Sequence, residues 1–270
     1  ALISQSIRGE EAGRAFGIHR TLDQMGAIIG PLAAFTLIPI VGVRNVFIAS
    51  FLPALAALLV LSLAVVEVRV PRREGGFMRG VRRVLRSRFI GLLLALSLFN
   101  LGSYNFSFVL VRAGEMGVAA FAIPLIYMLM NVAHAAVGVP AGLLADRIGR
   151  EKALILGMLM FTLSSLMFLI LSGSWVYSVL IALIFGLFQG VYDTTSRAVI
   201  PQYVSEELRG TAYGVYYLVV GLSFLLGIST VGYLWDTYGR SVAFTYTTLM
   251  SVVSAALLYA VQASVYKSRQ

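Results

Sequence analysis

The sequence predicts an all-α membrane protein with eight transmembrane helices, and three observations carry that prediction. Of the 270 residues, 59% are hydrophobic and only 12% are charged. Soluble domains run nearer to about 45–50% apolar and about 25% charged. The mean hydropathy is +0.88. The apolar residues also gather into long runs separated by short polar turns, each run long enough to cross a hydrocarbon core of about 30 Å. Finally, the cations fall on one side of those runs. Such a chain has too little polar surface to cover a soluble core and too little polarity to stay disordered.

The eight spans are expected near residues 22–43, 46–66, 90–111, 118–145, 153–172, 175–200, 211–234 and 242–263. They are apolar all round, without the alternation of a barrel wall. Lipid offers no partner for backbone N–H and C=O groups, so runs of this length are helices. Eight spans place both ends of the chain on one side. That side carries 18 of the 21 Lys and Arg residues; the other carries Arg44, Arg112 and Arg240. The positive-inside rule makes the rich side cytoplasmic. The net charge of +9 therefore reads as topology, and no nucleic-acid partner is expected. The expected location is an integral membrane site, the inner membrane of a prokaryote, with membrane lipids as neighbours.

The only long polar segment, 67–88, divides the spans two and six. It holds eight arginines. From Phe77 to Arg88, Phe77, Val81, Val84 and Leu85 gather near one helical face with Arg on the other. This reads as an amphipathic helix on the anionic inner leaflet or as a solvated basic tether. Cysteine is absent, so there is no disulfide framework, thiolate nucleophile or zinc–thiolate site. No nucleotide-binding G-x-x-x-x-G-K-[ST] loop, G-x-S-x-G or H-E-x-x-H occurs. No catalytic residue, metal or cofactor is expected, and the chain is not read as an enzyme.

An internal repeat follows at an offset of 197. Gly13-Arg14-Ala15-Phe16-Gly17-Ile18 matches Gly210-Thr211-Ala212-Tyr213-Gly214-Val215; Gly30 then meets Gly227 and Phe47 meets Phe244. The first two spans thus read as a second copy of the last two, as in transporters built from two related halves. By this repeat, about 110 residues and four further spans are expected before Ala1.

The loop after the fourth span reads Gly142-Leu143-Leu144-Ala145-Asp146-Arg147-Ile148-Gly149-Arg150-Glu151-Lys152. It resembles the G-x-L-a-D-R-x-G-R-R/K loop of the major facilitator superfamily, which joins the second and third helices of each six-helix half. Glu151 displaces the final cation to Lys152. The first span carries Gly26, Gly30 and Pro31, similar to the G-x-x-x-G-P-x-x-G-G segment of drug–proton antiporters in that superfamily, with Ala34 and Phe35 replacing the final glycines. The resemblance implies a fragment of a twelve-helix fold of two pseudo-symmetric six-helix bundles. Residues 1–66 would end the N-terminal half, 67–88 would be the cytoplasmic linker, and 89–270 the C-terminal half. The loop residues Gly142, Asp146, Arg147, Gly149 and Arg150 would form a cytoplasmic latch. Asp146 can favour a helix N-terminus, and the start of the seventh span at Gly210–Thr211 is the expected partner.

Polar residues inside a membrane are functional candidates by default. The third span offers Asn100, Ser103, Tyr104 and Ser107; the fourth offers Tyr127, Asn131 and His134. The sixth offers Gln189 and Asp193, and the seventh Tyr216 and Tyr217. His134 is a candidate proton or substrate site. Asp193 and Arg197, four residues apart, are expected to pair. Arg20, Asp23, Gly26, Gly30, Pro31, Arg197 and Arg209 are expected in structural or gating roles. In the superfamily, the first, second, fourth and fifth helices of each half line a central cavity; here those are the third, fourth, sixth and seventh spans, which hold these polar residues. The expected function is secondary active transport of a small molecule by alternating access, coupled to protons or another ion and efflux-like. The alternative is a non-transporting receptor or sensor on the same scaffold.

Overall fold

The computed structural model describes residues 12–64, 77–85 and 88–267, with side chains described for 25–63, 79–85 and 88–263. Among the described residues, nine α-helices follow in order: α1 (Ala12–Ala64), α2 (Phe77–Leu85), α3 (Phe89–Leu101), α4 (Phe106–Glu115), α5 (Ile123–Ile148), α6 (Arg150–Ile170), α7 (Trp175–Ala198), α8 (Arg209–Tyr238) and α9 (Arg240–Lys267). Short 3-10 turns precede α5 and lie between α7 and α8. No strand occurs among the described residues.

Seven helical segments among the described residues are long and apolar enough to cross a membrane. The first, Met25–Leu63, is 39 residues long, about 58 Å at 1.5 Å per residue and close to twice a bilayer core. It contains both of the first two expected spans. They part at Gly42, where φ is 78° and ψ is 159°, a backbone conformation that suits glycine alone. The Asn45 side-chain amide donates to the Val41 carbonyl at 2.7 Å, satisfying a group the break would orphan.

The third expected span is also interrupted. α3 ends at Leu101, α4 begins at Phe106, and the four residues between are not helical. The Asn105 side chain accepts from the Ser107 backbone N–H at 3.1 Å and caps α4. The Leu101 carbonyl accepts from the Tyr246 hydroxyl at 3.0 Å. The break thus sits where neighbours satisfy its backbone, the condition for irregular chain at membrane depth.

Around the break, α3, α6, α7, α8 and α9 pack closely. Tyr104, Phe99, Phe161, Phe168, Phe185 and Phe244 are almost fully buried. Tyr104 stacks on Phe185 at 5.4 Å between ring centroids and lies edge-on to Phe244 at 5.2 Å. Lipid is as apolar as leucine, so close packing and buried hydrogen bonds hold such helices together rather than escape from water. The hydroxyls of Thr162 and Ser251 meet at 2.9 Å between α6 and α9, and Ser254 of α9 donates to the Ala95 carbonyl of α3. Tyr104 joins Ser164 of α6 at 3.0 Å.

Two glycines set the α5–α7 contact. A Cβ on Gly186 would lie 2.3 Å from the Met130 carbonyl oxygen, and one on Gly190 would lie 2.6 Å from that of His134. The small-xxx-small pair lets the two backbones touch. In contrast, Gly26 and Gly30 in α1 have nothing within 4 Å of a built Cβ.

α2 packs against α8 and α3. Val84 is fully buried, and a Cβ on Gly80 would meet the Thr211 hydroxyl at 3.2 Å. Val84 is therefore covered by protein and Val81 partly so, while Leu85, Arg79, Arg82 and Arg83 are exposed.

Candidate functional site

A cavity of about 260 Å³ opens beside the broken helix. The end of α3 supplies Phe99 and Asn100, the break supplies Ser103, Tyr104 and Asn105, α7 supplies Gln189, Tyr192, Asp193 and Arg197, and α8 supplies Tyr216, Tyr217 and Gly221. Three helices and one interruption thus converge on one space. The interruption bares this wall: its residues leave the helical register and turn toward α7 and α8.

Asn100 organises the inner end. Its amide donates to the Tyr192 hydroxyl at 2.9 Å and to the Leu96 carbonyl at 2.7 Å. Tyr192 in turn stacks on Phe99 at 4.9 Å. Ser103 donates to the Phe99 carbonyl at 2.8 Å. The floor is therefore aromatic and its polar groups are largely committed. The open side differs: Asp193 keeps 42% of its side chain accessible, and Arg197 and Tyr217 are exposed.

Of the sequence-based cavity candidates, Asn100, Ser103, Tyr104, Gln189, Asp193, Tyr216 and Tyr217 line this space. Ser107, Tyr127, Asn131 and His134 do not. Ser107 was placed with Asn100 and Ser103 by counting along a continuous helix. The break before Phe106 cancels that count, and Ser107 is exposed in the first turn of α4. Tyr127 packs on Phe106 at 4.9 Å, and Asn131 donates back to the Tyr127 carbonyl. Backbone contact at Gly186 and Gly190 seals α5 against α7, so α5 stands behind the cavity wall.

The Asp193–Arg197 pair expected from spacing is replaced. Asp193 faces His134 Nε2 of α5 at 3.8 Å, and no Asp193–Arg197 contact within 4.0 Å occurs. His134 therefore reaches the site through Asp193. Sequence reading missed Tyr192, since it sits among Phe185 and Phe188 on an apolar stretch. Its neighbour Asp193 was the available signal.

The loop between α5 and α6 turns at Gly149, whose φ of 100° again requires glycine. Arg150 donates to the Ala198 carbonyl at 2.8 Å, placing a cation at the C-terminal end of α7, where the helix dipole favours it. Asp146 and Arg147 are exposed. The start of α8 has no side-chain cap, so Asp146 does not cap Gly210–Thr211 in this conformation. Gly142 lies in ordinary contact with Thr194. Arg209 pairs with Glu206 at 3.1 Å on the surface, and Pro31 is buried in α1. The side chains of Arg20 and Asp23 lie outside the described residues.

Apolar helices of spanning length define an integral membrane protein. Residues 90–270 match the profile of the Major Facilitator Superfamily, and the chain belongs to that family. An uncharacterized MFS-type transporter of Methanocaldococcus jannaschii is 27% identical over 266 residues, covering 96% of this chain and 66% of the relative. An uncharacterized protein of Mycobacterium tuberculosis is 30% identical over 253 residues, 87% of this chain and 59% of the relative. The chain thus spans at most about two thirds of the length of these relatives.

Proposed function

We propose that the protein contributes to secondary active transport of a small molecule by alternating access, with the cavity beside the broken helix as part of its substrate path. One observation carries this reading: polar groups from α3, the break, α7 and α8 converge on a space of about 260 Å³. That is just under the usual range of small-molecule pockets, about 300–1,000 Å³. A broken helix gives a rocking bundle a place to bend, and transporter sites form at such interruptions. In this reading 89–270 acts as one six-helix half, the two spans of α1 belong to the other half, and both described ends are cytoplasmic. The membrane is the inner membrane of a prokaryote.

The His134–Asp193 contact supports proton coupling. His134 carries an ionisable ring, and it stands 3.8 Å from a carboxylate that lines the cavity. The latch residues Asp146 and Arg147, exposed in this conformation, engage in the alternate one. The test is substrate flux in proteoliposomes holding the complete protein, with and without an imposed pH gradient. Saturable uptake that follows the gradient is expected. Uptake indifferent to the gradient removes the proton, and absence of flux across a broad panel favours a receptor on the same scaffold.

A further inference from the structure

Gln189, Asp193 and Arg197 stand four residues apart on α7 and all line the cavity. Four-residue steps keep them on one face, and at 1.5 Å per residue the stripe runs about 12 Å. Side chains at such spacing have Cβ atoms about 5–6 Å apart, close enough for a carboxylate and a guanidinium to pair. Asp193 and Arg197 do not. Asp193 turns to His134 at 3.8 Å and stays 42% accessible. Arg197 is exposed, and among the described residues its guanidinium has no hydrogen-bonded or ionic partner. One wall therefore presents a part-accessible carboxylate, backed by His134, and a guanidinium without an ionic partner among the described residues, separated by one helical turn. The surrounding wall is aromatic: Phe99, Tyr192, Tyr216 and Phe224.

We infer that the cavity takes a small zwitterion with an aromatic body, of the amino-acid type. Its ammonium meets Asp193, and its carboxylate meets Arg197, whose planar fork binds carboxylates through two parallel hydrogen bonds. The ring lies among the aromatic side chains, where offset and edge-on contacts add to burial. A purely cationic ligand would bring its charge beside Arg197 with nothing to answer it, and a purely anionic ligand would meet Asp193 in the same way. This inference rests on the cavity being a substrate site.

The test measures equilibrium binding to the full chain in nanodiscs with three probes: L-phenylalanine, its amide and N-acetyl-L-phenylalanine. These are zwitterion, cation and anion with one ring. L-Phenylalanine is expected to bind at least tenfold more tightly than either analogue. Arg197→Gln should erase its advantage over the amide, and Asp193→Asn its advantage over the N-acetyl compound. Arg197→Lys should keep part of the advantage, and unchanged unfolding temperatures establish that the variants are folded. Equal binding of zwitterion and amide, or no change in Arg197→Gln, overturns the zwitterion while leaving the cavity as a site. Gly221 lines the cavity with open space beyond its Cα, so Gly221→Trp should block all three probes. Binding of L-phenylalanine undiminished in Gly221→Trp, or no binding of any probe, overturns the inference and the cavity reading together.

Discussion

The most apolar segment of this protein is its least buried, and the least apolar is its most buried. Met25–Leu63 has a mean hydropathy of 2.5 over its best window and none of that window is buried. Phe89–Glu115 has a hydropathy of 1.5 with 56% buried. In a soluble protein the order would be reversed. In lipid a leucine gains little by moving from acyl chains to a protein interior, while a serine or asparagine gains hydrogen-bond partners there. Polarity, small residues and ring shape thus accompany burial in this pair, and Arg150–Ile170, with a hydropathy of 2.3 and 50% buried, shows that hydropathy alone does not decide it.

The strongest way to break this contrast is to create a void. Phe161 is fully buried between Phe99 and Tyr104, so Phe161→Ala should destabilise by about 3–5 kcal/mol, the usual cost of a large core truncation. Phe47, 73% exposed in α1, should tolerate the same change within about 0.5 kcal/mol. Thermal unfolding in detergent reads both. Equal losses would mean that α1 is as tightly held as the bundle.

A smaller effect is expected at the helix contacts. Gly186→Val places side-chain carbon against the Met130 carbonyl and should cost about 1–3 kcal/mol, as overpacking does. Gly30→Val in α1, with open space beyond its Cα, should leave the unfolding temperature in place or raise it slightly, since glycine is a poor helix former. A similar drop at both positions would place an unseen surface against α1.

These pairs also mark what the sequence could disclose. Run length is enough for the apolar spans, and the boundary near residue 43 falls beside the break at Gly42. The interruption at Gly102–Asn105 was not legible. It depends on Met250 and Gly227 closing on it from α9 and α8: a Cβ on Gly102 would lie 2.2 Å from that of Met250, and one on Gly227 would lie 2.2 Å from the Asn100 carbonyl oxygen. Local sequence holds no record of such approaches. For the same reason, helical counting puts Asn100, Ser103 and Ser107 on one face, whereas Asn100 and Ser103 line the cavity and Ser107 does not. It also paired Asp193 with Arg197, because spacing within one helix cannot foresee a histidine arriving from another.

A third comparison concerns two arginines. Arg112 is nearly buried; it donates to the Leu171 carbonyl and to Glu115, each at 2.8 Å, and ties α4 to the end of α6. Arg209 pairs with Glu206 on the surface. Arg112→Met should cost about 1.5–3 kcal/mol, the range for charged hydrogen bonds. Arg209→Met should cost less than about 1 kcal/mol, as exposed pairs do. If the two are equal, the buried staple is no stronger than a solvated pair.

The smallest expected change in stability, and the one most informative about motion, is at His134. Its side chain is 15% accessible and faces Asp193 across the α5–α7 contact. Glutamine is polar and of similar size but carries no ionisable group, so His134→Gln should alter unfolding by about 1 kcal/mol or less. Its effect belongs in the pH profile. Uptake by the complete protein should depend on pH when His134 is present and depend on it less in the variant, as the proposed coupling through the imidazole requires. An exposed reference is Asp146→Asn in the last turn of α5, which removes a charge with no ionic partner among the described residues in this conformation. It should leave both the unfolding temperature and the shape of the pH profile unchanged while slowing turnover, because in the proposed latch its contact forms only in the alternate state. A His134→Gln profile that keeps the wild-type inflection would return the imidazole to a packing role behind the cavity wall, and unaltered turnover in Asp146→Asn would remove the latch.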